Sequence, residues 1–191
     1  MYHSKWKVLS TNEIYKSKIF RLRVDRCQLS DGRISPNYFV CEFPDWVNIV
    51  AVTKDNKFVM IRQYRHGTGE FCIEFAGGMM DPHANESPLQ AAEREFREET
   101  GYAFENIIPI GSHRPNPAVQ NNTLHAFLAT GCQSKFAQNL DPNEEIEVFL
   151  VSAQELFSLI REGKLNHSLI LASLFLALPH LGYEVTKKDR V

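Results

Sequence analysis

The chain has 191 residues, 43 % of them hydrophobic and 23 % charged, enough for one substantial domain with a small appendage. A formal net charge of −2 gives no electrostatic case for nucleic acid or an anionic membrane as partner. No apolar run approaches the roughly 20 residues of a membrane span, and the N-terminus has no secretory pattern. Cys27, Cys41, Cys72 and Cys132 are scattered without a C-x-x-C pair, so free thiols and a cytoplasmic location are expected.

Residues 1–45 alternate polar and apolar types. Trp6-Lys7-Val8-Leu9, Phe20-Arg21-Leu22-Arg23-Val24 and Tyr38-Phe39-Val40-Cys41-Glu42-Phe43 read as strands, with Asp31-Gly32-Arg33 as a turn. Three short strands make a thin core of their own, so this section is expected to pack on the main domain or on a second copy of the chain.

Residues 46–191 read as the main domain. Stretches 46–53 and 57–64 form a strand pair dense in Val and Ile, as buried central strands are. The second ends in Arg62-Gln63-Tyr64-Arg65, and Arg is well suited to phosphate because its planar fork donates two bonds at once. Arg is also common at solvated strand ends. A short strand over 70–76 then runs into Gly77-Gly78, where the backbone can approach a ligand closely or simply turn.

A helix follows, with both ends written in the sequence. Ser87 is a candidate N-cap, Pro88 suits the first helical position, Gln90 sits where a capping-box partner belongs, and Gly101 suits the closing left-handed residue. Leu89, Ala92 and Phe96 form an apolar stripe. Glu95, Glu98 and Glu99 fall within an arc of about 100° beside that stripe, not opposite it, and so face a crevice. Like charges at i,i+4 repel, and a hard cation shared with a substrate phosphate would remove the penalty. The alternative is a charged helix laced by Glu93–Arg97 and Arg94–Glu98 pairs. Carboxylate spacing alone leaves both open.

Strands are expected over 107–111, 123–130 and 144–151, with a loop rich in prolines and amides over 112–122 and an acidic loop containing Asp141 before the last strand. Ser152 is a candidate N-cap for a helix reaching Arg161 or Glu162, stopped by Gly163, and an apolar helix spans about 168–178. Many strands and few helices argue for an α+β sandwich with the carboxylate helix against the sheet.

The run from Glu86 through Arg94-Glu95-Phe96-Arg97-Glu98-Glu99-Thr100-Gly101-Tyr102 resembles the signature of the Nudix hydrolases. One position departs: the family's opening Gly stands six residues before the first Glu, where this chain has Met80, so 81–85 resembles a loop lengthened by two residues. Arg62-Gln63-Tyr64-Arg65, Glu74-Phe75-Ala76-Gly77-Gly78, Pro117 at 15 residues beyond the box, and Glu144-Glu145-Ile146-Glu147-Val148 resemble the branch that cleaves ADP-ribose and other nucleoside diphosphate sugars.

The resemblance implies an α/β/α sandwich with a mixed central sheet and a small antiparallel N-terminal section. It implies Mg²⁺ or Mn²⁺ held by Glu95, Glu99 and Glu98 with the Gly77 carbonyl. Glu86 and Arg94 would brace the box, Glu144 or Glu145 would serve as base with Asp141 behind them, and Glu98 would take part in the chemistry. Arg62, Arg65, Arg114 and Pro117 would meet the substrate, and the chain would form a homodimer. Ala118 and Asn121-Asn122 stand where some members carry a Gly and a Glu, so the sugar stays open. A Nudix hydrolase of dinucleoside polyphosphates or nucleoside triphosphates, or a non-catalytic nucleotide-sugar sensor, is the alternative.

Overall fold

The computed structural model describes residues 5–183 and divides the chain into two compact units. One comprises the described residues up to Asp45 together with Arg114–Thr123, and the other comprises Trp46–His113 and the described residues from Leu124 onward.

In the first unit β1 (Lys7–Lys16), β2 (Arg21–Gln28) and β3 (Ile34–Glu42) form an antiparallel sheet in the order β1-β2-β3. Strand alternation sends Arg21, Arg23 and Asp25 to one face, where they join Glu13 and Glu42 in a charged network. Asp25 is buried and also accepts from the Thr11 hydroxyl. The segment 114–123 lies along β3, with the Cys41 N–H donating to the Val119 carbonyl and the Tyr38 hydroxyl to that of Ala118. Every residue of β1 is exposed, including Val8, Leu9, Ile14 and Tyr15.

The second unit is a mixed sheet between helices. Its strands are β4 (Trp46–Thr53), β5 (Phe58–Arg65), β6 (Glu70–Glu74), β7 (Tyr102–Ala103), β8 (Asn106–His113), β9 (Leu124–Ser134) and β10 (Ile146–Val151). The order is β10-β5-β4-β9-β7, with β6 on β5 and β8 on β9. Only β4 and β9 run parallel; the other named pairs are antiparallel. Helix α1 (Pro88–Thr100) covers one face, where Ala91, Ala92 and Phe96 pack on Val47, Ile49, Ala51 and Val59. Helices α2 (Ala153–Arg161) and α3 (Ser168–Ala177) cover the other, bringing Leu156, Ile170 and Leu174 onto Val50, Val52, Phe58 and Met60. With both faces buried, β4 reads as an almost continuous apolar run, and each fully buried large side chain contributes about 1.5–3 kcal/mol.

A fork in the sheet positions the site. Strands β4 and β5 pair at Val52↔Phe58 and then diverge. The fork is filled by β6, paired to β5 from Glu70 to Glu74, and by the segment that follows it, whose Ala76 and Gly78 carbonyls accept from the Ile49 and Val47 amides of β4. Sequence periodicity locates every one of these elements except β7, whose two residues are too short to leave a pattern. It also places Leu89 in the apolar stripe, whereas Leu89 is 39 % exposed and Ala91 takes the buried position. Leu89, seven residues before Phe96, lies on the same side of the helix but in its first turn, where it stays exposed.

Candidate active site

Helix α1 begins and ends as its residues dictate. Ser87 accepts from the Gln90 amide while Gln90 accepts from the Ser87 amide, completing a capping box, and Pro88 opens the first turn. Gly101 closes the helix at φ 71°, and a Cβ there would meet the Phe136 carbonyl at 2.4 Å. The last carbonyls are satisfied from outside the helix. Asn139 N–H donates to Glu98, and Gln138 Nε2 bridges the carbonyls of Glu99 and Ile146, tying the helix to the start of β10.

The three carboxylates of α1 have different environments. Glu99 is 3 % exposed, and its Oε2 accepts from the Gly77 amide at 2.8 Å. Glu95 lies against Gly78 so tightly that a Cβ on that glycine would stand 2.6 Å from its carboxyl carbon. Glu98 is more open and reaches Arg94 at 3.2 Å. Arg94 also holds Glu95 at 2.8 Å and Glu86 through two bonds of 2.9 and 3.2 Å. That pairing holds Glu86 below its ordinary range. The extra residues of the preceding loop are taken up in turns: Asp81 accepts from the His83 amide, Glu86 accepts from the Asp81 amide, and Asn85 adopts φ 49°.

Burial pushes the Glu99 carboxyl well above its ordinary range; the Gly77 amide opposes this and the charges of Glu95 and Glu144 add to it. Glu95 is raised too, first by burial, then by Glu144 and Glu98 against the pull of Arg94. Glu144 comes from the loop before β10, caps a turn by accepting from the Asp141 amide, and is half-buried, whereas Glu145 is exposed.

Glu99 and Glu144 border a cavity of about 430 Å³ at the open end of the fork, lined also by Arg65, Glu74, Gly77 and His167; Glu95 and Glu98 do not line it, but Glu95 packs on Gly78, which does. The size suits a small-molecule ligand. Arg62 and Glu145 do not line it. Arg62 points to the other face of β5, where it pairs with Glu147 at 2.5 Å and stands 5.8 Å over the Phe71 ring. Arg114 and Pro117 belong to the first unit, where the Arg114 guanidinium donates to the Asn121 carbonyl and the Thr123 hydroxyl.

The family model described as NUDIX domain matches residues 43–174, more than half of the chain. The chain belongs to the Nudix family. A second model, nucleoside diphosphate sugar hydrolase N-terminal domain, matches residues 6–40. The chain is similar to the methanol dehydrogenase activator of Bacillus methanolicus, at 29 % identity over 85 % of this chain and 86 % of that one. It is similar to the ADP-ribose pyrophosphatase of Bacillus subtilis, at 28 % identity over 81 % and 82 % of the two chains. A crystal structure of an ADP compounds hydrolase shares the fold, with a TM-score of 0.82, 22 % identity, and 95 % and 97 % of the two chains covered.

In this Nudix hydrolase the donors around the cavity are hard oxygens, the type that a hard divalent cation takes. Among the described residues no three His, Cys, Asp or Glu side chains converge into a ready-made metal cage. That is compatible with a cation held by one or two carboxylates and completed by water and substrate phosphates, as Mg²⁺ commonly is. Glu99 and Glu95, each raised first by burial and then by neighbouring carboxylates, gain from such a charge, so the residues present fit the group.

Sequence reasoning missed three residues here. Gln138 had no signal, because a side chain bridging two carbonyls depends on where a loop returns. Asn48, buried on β4, donates to the Phe75 and Ala76 carbonyls and so fixes the strand before Gly77. Glu74 was visible as part of the motif, but its partner depends on the β5–β6 register.

Proposed function

We propose that this Nudix hydrolase cleaves the pyrophosphate bond of ADP-ribose or a related nucleoside diphosphate sugar, giving a nucleoside monophosphate and a sugar phosphate, with Mg²⁺ or Mn²⁺ as cofactor. The observation that carries this reading is the pair Glu95–Glu99, packed on Gly78 and Gly77 at the mouth of a cavity that also holds Glu144 and Arg65. The similarity to a protein named ADP-ribose pyrophosphatase supports the substrate class, as does the match of residues 6–40 to a nucleoside diphosphate sugar hydrolase section.

Glu95 and Glu99 hold the cation, with Glu98 beside them and the Gly77 carbonyl as a backbone donor. When bound, a divalent cation there supplies charge neutralisation for the phosphates and makes nearby water more acidic. Glu144 acts as general base: it lines the cavity and its charge reaches both Glu95 and Glu99. It takes a proton from the attacking water, whose oxygen adds in line to one phosphorus as the bond to the bridging oxygen breaks. Glu145, exposed and away from the cavity, is not needed for this step. Glu86 and Arg94 brace the helix, and Arg65 meets the phosphates. Arg62 is engaged with Glu147 and Phe71, and Arg114 and Pro117 belong to the first unit.

The exposed apolar residues of β1 suit a homodimer joined through the first unit. The four free cysteines suit a cytoplasmic location. Among the described residues no helix is long and apolar enough to cross a membrane.

The test is a panel of ADP-ribose, ADP-glucose and GDP-mannose beside ATP and a dinucleoside polyphosphate, with products resolved by chromatography. Preference for the sugars, by kcat/KM, is the expected result. Preference for ATP or the dinucleotide overturns the substrate class, and binding of a sugar nucleotide without cleavage favours a sensor.

A further inference from the structure

Besides Glu99 and the half-buried Glu144, the cavity is lined by a third carboxylate, the buried Glu74. Its side chain is 4 % exposed, and both of its oxygens are taken by one guanidinium: Arg65 Nε donates to Oε1 at 2.7 Å and Nη2 to Oε2 at 2.7 Å. This is the fork-on-carboxylate geometry that fixes an arginine in both position and plane. With both oxygens engaged, Glu74 is not available to a cation.

The pairing decides which part of Arg65 is left over. Its Nη1 donates to no group among the described residues, and 41 % of its side chain stays exposed although it lines the cavity. Its charge is also felt at Glu99. Glu74 ends β6, three residues before Gly77, so the strand that sets the candidate cation loop also sets the guanidinium. The neighbouring Arg62 is in no position to replace it, since residues three apart on a strand face opposite sides.

The geometry points to Glu74 as a positioning residue, which holds Arg65 by its Nε–Nη2 edge and presents Nη1 to a phosphate of a nucleoside diphosphate in the cavity. This deepens the function proposed above and rests on it. Lysine would not serve at position 65, because a point charge on a flexible stem cannot be gripped on one edge and offered on the other.

The test measures ADP binding by calorimetry without divalent cation, and separately kcat and KM for ADP-ribose with Mg²⁺. The proteins are wild type, Arg65→Ala, Arg65→Lys, Glu74→Gln and the Glu74→Gln/Arg65→Ala double variant. Glu74→Gln is expected to weaken ADP binding about tenfold, as loss of a charge-assisted contact does, with KM raised more than kcat is lowered. In the Arg65→Ala background Glu74→Gln should cost nothing further, since it acts through that arginine. Equal losses in both backgrounds, or tighter ADP binding by Glu74→Gln, would overturn the inference; the second would mean that Glu74 competes with the phosphate. Should Glu74→Gln fail to fold, Arg65→Lys decides: it should bind ADP about as weakly as Arg65→Ala, and wild-type affinity would overturn the inference. A wild type that binds ADP through Arg65 yet cleaves no nucleotide sugar would sink the proposed reaction and leave the positioning role standing.

Discussion

The Gly77 amide donates to Glu99 Oε2 at 2.8 Å, so the loop that leaves β6 and the last turn of α1 are joined at a carboxylate that is 3 % exposed. A single backbone donor is thin support for a buried charge, and burial keeps the Glu99 carboxyl well above its usual range. The arrangement is stable as it stands when the carboxyl is protonated, and the ionised form gains from a cation.

Glu99→Gln keeps shape and burial while removing the ligand charge. Activity should fall by about two orders of magnitude or more, since even outer-shell partners of a metal cost 10–100-fold. The thermal midpoint of the cation-free protein should hold or rise. Glu86→Gln breaks the two-bond brace to Arg94 and should instead lower stability by about 1–3 kcal/mol, with a smaller loss of activity. Circular dichroism melts and initial rates separate the two; near-normal turnover in Glu99→Gln would refute the ligand assignment.

Gly78→Ala places a methyl 2.6 Å from the Glu95 carboxyl carbon. The carboxylate must swing away, so apparent Mg²⁺ affinity should weaken at least tenfold, with a stability cost of about 1–3 kcal/mol. Titration of activity against Mg²⁺ checks this, and an unchanged midpoint would mean that Glu95 is not a ligand.

Glu144→Gln should lower kcat about 10²- to 10⁴-fold, the range for loss of a general base, while Glu145→Gln should leave kcat within about twofold. Equal losses in the two variants would return the choice between them to open.

Glu95 and Glu99 are raised in the folded state, so the fold binds their protons more tightly than the unfolded chain does. Their contribution to stability is complete below the ordinary carboxylate range and is lost as pH rises through the folded values. Without divalent cation, the thermal midpoint should therefore decline as pH rises from the ordinary carboxylate range toward those raised values. Added Mg²⁺ should restore stability most at the upper end, where both groups are ionised. A Mg²⁺ effect that was larger at low pH would contradict the assignment.

The helix that carries this chemistry was legible because its punctuation is local: Ser87, Pro88, Gln90 and Gly101 each act within a turn of themselves. The strands were legible where both faces are buried, as in β4, or where one is. What the sequence concealed was convergence. Arg62 and Arg65 look alike in a string of four residues, yet strand alternation sends one to Glu147 and the other into the cavity. Glu144 and Glu145 are adjacent in sequence, and the turn that Glu144 caps by accepting from the Asp141 amide distinguishes them. Arg114 falls in a segment that leaves β8 to lie along β3, a long-range choice with no local mark.

The central claim is that carboxylates packed on Gly77 and Gly78 serve hydrolysis of a nucleotide sugar. Incubation of ADP-ribose with the protein and Mg²⁺, followed by chromatographic resolution of products, tests it most directly. AMP and ribose phosphate should form in equal amounts, only while the cation is free, and a chelator should stop the reaction. Intact ADP-ribose after long incubation, with protein that is folded and binds Mg²⁺, would contradict it.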